Sequence, residues 1–216
     1  MPNFFWHECG LDWAMGDHVI DIGARVPRTS HHPFLSWLAK KLLSWMGWRL
    51  DVRIADEPKL VVLAAPHTSN MDGLLAMLTI VATELKLGLF VKHTAFDKPV
   101  IGGLLRTFGA IPIDRRAPGG IVGQTVEAFK TRDQLLIGLA PEGTRKRVDK
   151  WKRGFYLIAN EAKVPIVCAY MDYATKSIGT GLRLMPTGNY ERDLEAIQAY
   201  YRTITPRIPA NFSAAG

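Results

Sequence analysis

The sequence predicts an α/β fold with a mixed, mostly parallel central sheet, helices on its faces and an amphipathic helix near the N-terminus. Short apolar and β-branched runs alternate with helical patterns through most of the chain, as in strands joined by crossover helices. A length of 216 residues with 48% hydrophobic and 22% charged residues fits one substantial core, and no linker or repeat divides it. We therefore expect an extension at 1–32, a helix at 33–48 and one domain at 49–216.

The first part of the chain holds the predicted amphipathic helix. Residues 1–32 show no clean period, so we expect a partly mobile extension. Pro33 to Trp48 follows a helical period, and Pro33 suits a first turn. One predicted face is small or polar (Ser36, Lys40, Ser44, Gly47), and the other is apolar (Phe34, Leu35, Leu38, Leu42, Trp45, Met46).

Two surroundings suit this helix. At about 24 Å it is shorter than the roughly 30 Å hydrocarbon core of a bilayer, so a membrane contact would lie in the interface. The aromatic and basic residues that favour such a position are Trp37, Trp45, Trp48, Lys40, Lys41 and Arg49. The alternative is a helix that docks onto the protein's own core.

The remaining elements alternate as the fold class requires. Strands are predicted at 49–54, 60–65, 88–91, 110–113, 134–139, 165–170 and 182–185. Helices are predicted at 70–85, 98–108, 120–131, 154–162 and 191–204. In this architecture, functional residues collect beyond the carboxyl ends of the parallel strands.

The net charge and the cysteine content indicate which classes of binding partner and which cellular compartment to expect. The 27 Lys and Arg residues outnumber the 20 Asp and Glu residues, and the net charge of +7 favours nucleic acid, an acidic membrane surface or a phosphorylated substrate. Cys9 and Cys168 are far apart and Cys168 lies in an apolar run, which predicts a buried thiol, no disulfide framework and a reducing cytoplasm. No run is long enough to span a membrane and the start differs from a secretory signal, so we expect no export.

His67 and Asp72 follow the strand predicted at 60–65. A sharp turn there can bring the Asp72 carboxylate against the His67 ring. The carboxylate would then accept a hydrogen bond from one ring nitrogen and leave the other free to take a proton from an alcohol. Ser69 and Asp72 also match the S-x-x-D capping pattern, so the alternative is a helix cap beside a loop histidine.

Glu142 and Arg115 also follow predicted strands, so their turns could face the same crevice as His67. In the turn at 141–145, Gly143 permits a positive φ or a close backbone approach. Arg145 then opens a basic run up to residue 153, which could bind phosphate or form a solvated loop. Arg115 likewise belongs either to a phosphate clamp or to a surface turn.

These segments resemble, in order, the four sequence blocks of the glycerolipid acyltransferase family, which includes the 1-acylglycerol-3-phosphate acyltransferases. His67 to Asp72 is similar to its H-x4-D motif, and residues 108–115, 141–145 and 164–167 are similar to its later blocks. The match runs from about residue 60 to 170. The helix at 33–48 also resembles the membrane-associating N-terminal helix of family members.

The resemblance implies an enzyme in which His67 is the general base and Asp72 orients it. The acceptor site would use Arg115, Glu142, Gly143, Thr144, Arg145 and, by a looser match, Lys92. Arg115 and Arg145 would face a phosphate, and Glu142 the glycerol hydroxyls. The implied reaction moves a fatty acyl group from coenzyme A or acyl carrier protein to a lysophospholipid hydroxyl without a cofactor or metal. The implied location is peripheral, on the cytoplasmic side of the inner or cytoplasmic membrane, through residues 33–48.

Other functions remain to be weighed. The third block continues into a short basic loop where many phosphatidate-forming members have a serine and a longer Gly-rich approach, so the acceptor head group stays open. A non-catalytic lipid- or membrane-binding module of the same fold is the alternative function. The sequence has no nucleic-acid-binding motif, G-x-S-x-G elbow, H-E-x-x-H or P-loop, which argues against nucleic-acid binding and those enzyme classes.

Overall fold

A computed structural model describes residues 18–30, 32–88, 90–92, 97, 111–113 and 120–213. Its strands are β1 (Val19–Ile22), β2 (Arg49–Ile54), β3 (Lys59–Ala64), β4 (Leu87–Gly88), β5 (Phe90–Lys92), β6 (Ile111–Ile113), β7 (Leu135–Leu139), β8 (Ile166–Asp172) and β9 (Ser177–Leu184). Its helices are α1 (Pro33–Trp45), α2 (Asn70–Thr83), α3 (Gly120–Thr131), α4 (Gly154–Ala162) and α5 (Tyr190–Tyr201), with a 3₁₀ helix at Pro209–Asn211.

The main sheet has the strand order β1-β2-β9-β8-β3-β7-β4. Its neighbouring strands are parallel except for the antiparallel hairpin of β8 and β9. β5 and β6 form a separate parallel pair. The predicted fold class, a mixed and mostly parallel sheet flanked by helices, is therefore confirmed.

The interior strand β3 separates two apolar cores. Its side chains alternate in direction, as strand geometry requires. Val61 and Leu63 face the core built with α3, α4 and α5, whereas Leu60 and Val62 face the core built with α1 and α2. The helices therefore form a layer on each face of the sheet. Between these two layers, loops follow the ends of the strands.

The N-terminal segment contains a strand that the sequence did not predict. β1 adds to the sheet edge in parallel with β2, with Val19 opposite Asp51. Arg25 fixes the turn after it, since its backbone N–H and its Nε donate to the Asp56 carboxylate at 2.6 and 2.9 Å. A four-residue edge strand shows too few alternations to be recognised from its sequence. Residues 1–17 lie outside the described part of the chain.

α1 is shorter than predicted because Gly47 ends it. Gly47 has a φ of +78°, and the backbone N–H of Trp48 donates to the Leu43 carbonyl at 2.8 Å, a Schellman-type helix end. Trp48 is consequently carried into the core, where 3% of its surface is exposed. Its assignment to the membrane-facing aromatic residues is therefore wrong.

α1 docks through two small residues and one leucine. The side chains that it buries are Ser36, Ala39 and Leu43, and the Ser36 hydroxyl donates to the Ala82 carbonyl of α2 at 2.8 Å. Six other large apolar side chains of α1 stay exposed: Phe34, Leu35, Trp37, Leu38, Leu42 and Trp45. Within the described ranges, no helix combines the length and the apolar character needed to cross a bilayer.

Some other strand boundaries differ from the predicted ones. The strand predicted at 88–91 is two strands, because β4 pairs with β7 whereas β5 pairs with β6. β9 begins at Ser177, several residues before the predicted start at 182. The helices predicted at 120–131 and 154–162 have those bounds in the structure. The helix predicted at 98–108 lies outside the described residues.

Candidate active site

The turns that carry His67 and Glu142 meet beyond two adjacent strands. β3 and β7 are parallel, with Leu63 opposite Leu139. The two segments that follow them therefore leave the sheet at the same end, the carboxyl end of the strands. The backbone N–H of His67 donates to Oε1 of Glu142 at 3.1 Å. This contact joins two of the three segments that were expected to face one crevice, and the third, with Arg115, lies outside the described residues.

Asp72 closes a capping box at the start of α2. Ser69 is the N-cap residue, and its hydroxyl accepts from the Asp72 backbone N–H at 3.4 Å. Oδ2 of Asp72 accepts from the backbone N–H groups of Thr68 and Ser69 at 2.6 and 2.8 Å. Asp72 is 1% exposed, so these bonds satisfy a buried carboxylate and fix the backbone that follows His67.

The predicted hydrogen bond between Asp72 and the His67 ring is not formed. Oδ1 of Asp72 accepts from the Ser69 hydroxyl at 2.8 Å and from the Tyr173 hydroxyl at 2.6 Å, while Oδ2 faces backbone donors. Because the capping interactions occupy the carboxylate, it acts on the ring through its charge. Among the described residues, the His67 ring has no hydrogen-bond partner.

The environment of His67 favours a neutral imidazole. The ring is half-buried, and this burial is the main cause that lowers its pKa from 6.5. The negative charge of Asp72 raises the pKa and the positive charge of Arg145 lowers it, both more weakly than burial. A ring that stays unprotonated at neutral pH can accept a proton, which a general base must do.

Glu142 lies inside the protein and supports the His67 loop. Its side chain is 3% exposed, and its Oε2 is buried without a hydrogen-bond partner among the described residues. Burial raises the pKa of this carboxyl to about 7, and the nearby Asp72 charge adds to the rise. The structure thus shows Glu142 facing the backbone of His67. Its expected contact with acceptor glycerol hydroxyls stays a prediction.

The exposed residues of the segment at 141–145, the third of the four sequence blocks, lie beside the start of α2. Nη1 of Arg145 donates to the side-chain oxygen of Asn70, which brings the guanidinium to the capping box. Gly143 has a φ of +64°, as its place in the turn predicted, and Thr144 accepts from the Lys146 backbone N–H at 3.3 Å. Gly143, Thr144 and Arg145 are solvent-exposed, so all three can contact a ligand from outside.

The other candidate residues are only partly described. Arg115 lies outside the described residues. The backbone of Lys92 pairs with Ile113, two positions before Arg115, but its side chain is not described. At the far end of the basic run, Arg153 lies over the Tyr190 ring, 4.3 Å from its centroid. Its Nη2 also donates to Oε1 of Glu191 at 3.4 Å, so Arg153 has local partners in α5.

Sequence reasoning missed Tyr173, whose hydroxyl contacts Asp72. Tyr173 begins the turn between β8 and β9, past the predicted strand end at residue 170. Only its position after a parallel strand could have drawn attention to it. Within the described residues, no cluster of three or more His, Cys, Asp or Glu side chains is arranged to hold a metal ion.

A comparison with protein-family models identifies the family from more than half of the chain. Residues 50–172 match the family model described as Acyltransferase. The chain belongs to the acyltransferase family. The matched region contains His67, Asp72 and Glu142 of the site above, and the resemblance noted from the four sequence blocks is confirmed.

Curated relatives and one solved structure agree with this family. Two proteins named 1-acyl-sn-glycerol-3-phosphate acyltransferase are similar. The one from Streptococcus pneumoniae (strain ATCC BAA-255 / R6) is 32% identical over 117 residues, which are 53% of this chain and 42% of the relative. The one from Bacillus subtilis (strain 168) is 31% identical over 114 residues, 50% of this chain and 53% of the relative. The chain thus spans about half the length of these relatives.

The structural comparison supports the fold. The crystal structure of the 1-acyl-sn-glycerophosphate (LPA) acyltransferase PlsC from Thermotoga maritima matches with a TM-score of 0.53 at 15% identity. The match covers 79% of this chain and 76% of that one. At this identity the likeness extends to the backbone arrangement.

Proposed function

We propose that the protein is an O-acyltransferase that moves a fatty acyl group from an acyl thioester to the free hydroxyl of a lysophospholipid such as 1-acylglycerol-3-phosphate. The observation that carries this proposal is the half-buried His67 ring, which lies near the Arg145 charge and has no hydrogen-bond partner among the described residues. Membership of the acyltransferase family and the names of the relatives support the same reaction.

In the proposed reaction, a ring nitrogen of His67 takes the proton of the acceptor hydroxyl. The hydroxyl oxygen attacks the thioester carbonyl carbon, the carbon–sulfur bond breaks, and the departing thiolate takes the proton back from the imidazolium. The products are an ester and a free thiol, so atoms and charges balance without a cofactor. A positioned base of this kind contributes about 10²- to 10⁴-fold in rate.

The acceptor phosphate would bind Arg145, whose guanidinium lies beside the capping box of α2. A guanidinium presents paired donors that match phosphate oxygens. Arg115 and Lys92 would join it, as the family resemblance implies. Asp72 would act on His67 through its charge and through the backbone that it caps.

The protein would work as a peripheral protein at the cytoplasmic face of the membrane, with α1 in the interface. Phe34, Trp37 and Trp45 are 68%, 51% and 85% exposed. Aromatic and apolar side chains at these exposures are typical of interfacial helices. α2, which packs against α1, adds exposed Leu74 and Met77 on the same side of the sheet.

An acyl-transfer panel tests the proposal. Labelled palmitoyl-coenzyme A and palmitoyl-acyl carrier protein are each offered with a set of lysolipids, and the products are separated by chromatography. We expect a labelled phospholipid with one donor and a phosphate-bearing acceptor. Lysolipid binding without transfer for every pair would favour a non-catalytic lipid-binding module instead.

A further inference from the structure

Tyr173 reaches the buried carboxylate of the candidate active site from a separate part of the chain. Its hydroxyl donates to Oδ1 of Asp72 at 2.6 Å. The residue lies in the turn between β8 and β9, far in sequence from the His67–Asp72 segment. Short hydrogen bonds to an ionised carboxylate are among the stronger ones in proteins.

The contacts around Tyr173 hold its hydroxyl in position. The Tyr173 ring packs edge-to-face on Trp48, with centroids 4.8 Å apart and planes at 87°. The backbone N–H of Tyr173 donates to the Thr205 carbonyl at 2.9 Å. Asp172 stabilises the turn by accepting from the Ala174 backbone N–H at 3.0 Å. The ring therefore has little freedom to leave the carboxylate.

The hydroxyl determines which donors Asp72 can accept. Oδ1 of Asp72 receives Tyr173 and the Ser69 hydroxyl, so this oxygen is not offered to the His67 ring. Burial raises the pKa of the Tyr173 phenol and Asp72 raises it further, so the group remains a protonated donor. A donor at this oxygen also neutralises part of the charge that acts on His67.

We propose that Tyr173 is a positioning residue, whose hydroxyl fixes the Asp72 carboxylate and moderates its charge so that the His67 ring stays neutral and free. This inference rests on the proposed role of His67 as the general base. Without the hydroxyl, the carboxylate charge acts more strongly on the imidazole and favours its protonated form.

Tyr173→Phe removes the hydroxyl and keeps the ring against Trp48. We expect kcat for acyl transfer to fall near neutral pH, by about tenfold for each unit by which the His67 pKa comes to exceed the assay pH, with the acceptor KM unchanged. The acid limb of the pH–rate profile should move to higher pH. Tyr170→Phe is the matched control, since its ring packs on Tyr200, 6.5 Å between centroids, in β8.

An NMR titration of the His67 ring separates this inference from the proposed activity. In Tyr173→Phe the midpoint should rise above that of the wild type, and in an Asp72→Asn background the same change should have no effect. Equal midpoints in the wild type and Tyr173→Phe would overturn the positioning role, whether or not the enzyme transfers acyl groups. Absence of transfer by the wild type, with the midpoint shifted as expected, would instead overturn the proposed function alone.

Discussion

Replacing Glu142 with Gln should change how stability depends on pH. The carboxyl is buried beside the His67 backbone, and its pKa is raised from 4.5 to about 7, mainly by burial. Between these two pH values the folded protein keeps the Glu142 proton, whereas the unfolded chain releases it. Stability from this group is therefore fully present below pH 4.5 and is lost as the pH rises through about 7.

The size of the effect follows from the two pKa values. Each pKa unit corresponds to about 1.36 kcal/mol, so the rise from 4.5 to about 7 amounts to about 3 kcal/mol of unfolding free energy. Gln keeps an oxygen that can accept from the His67 N–H and does not titrate. The stability of Glu142→Gln relative to the wild type should therefore increase by about 3 kcal/mol from pH 4.5 to pH 8.

Urea denaturation at a series of pH values measures this difference. Using the difference between variant and wild type cancels other titrating groups, including His67, whose lowered pKa contributes an opposite slope. Glu161→Gln, at an exposed position of α4, serves as the control and should show no such trend. A Glu142→Gln difference that stays constant across pH would refute the reasoning that Glu142 is held protonated by burial.

Three further outcomes are expected. Arg145→Ala should mainly raise the KM for a phosphate-bearing acceptor, by roughly tenfold for one charge-assisted contact, in steady-state kinetics. Replacing Trp37, Leu42 and Trp45 with polar residues should weaken binding to anionic liposomes in a flotation assay, because these side chains are exposed on α1. The acid limb of kcat/KM should lie below pH 6.5, because burial lowers the pKa of His67 and activity is lost as the ring protonates.

The first two of these outcomes each have a matched control. Arg153→Ala removes another cation of the basic run, one that packs on Tyr190, and should leave the acceptor KM unchanged. Leu157→Gln changes an exposed apolar residue on the opposite helical layer and should not affect liposome binding. An unchanged KM in Arg145→Ala, or full liposome binding by the α1 variant, would remove that residue or that helix from its proposed role.

Much of the fold could be predicted because it depends on local patterns. α3 and α4 have the predicted bounds. β3 could be predicted because its sequence is an apolar run, as in strands buried on both faces. β1 escaped prediction because its pairing with β2, and not its short sequence, makes it a strand. Likewise, periodicity found the apolar face of α1 but could not show that the helix docks through Ser36, since that depends on close approach to α2.

For the candidate site, too, some features could be predicted from the sequence and others could not. Because His67 and Glu142 each follow a predicted strand, and parallel strands end together, the sequence placed both at the carboxyl end of the sheet. The capping pattern predicted the Ser69 partner of Asp72, but the Tyr173 partner could not be predicted, since the β8–β9 hairpin brings it there. The sequence therefore pointed to His67, Asp72 and Glu142, but it did not show the hydrogen bonds between distant segments that arrange them.

The most direct test of the account is the transfer rate of His67→Ala, with and without added imidazole, alongside His32→Ala as an exposed histidine control. The account predicts that kcat falls about 10²- to 10⁴-fold in His67→Ala, that imidazole restores part of it, and that His32→Ala keeps wild-type activity. Wild-type transfer by a folded His67→Ala protein would contradict the assignment of His67 as the base.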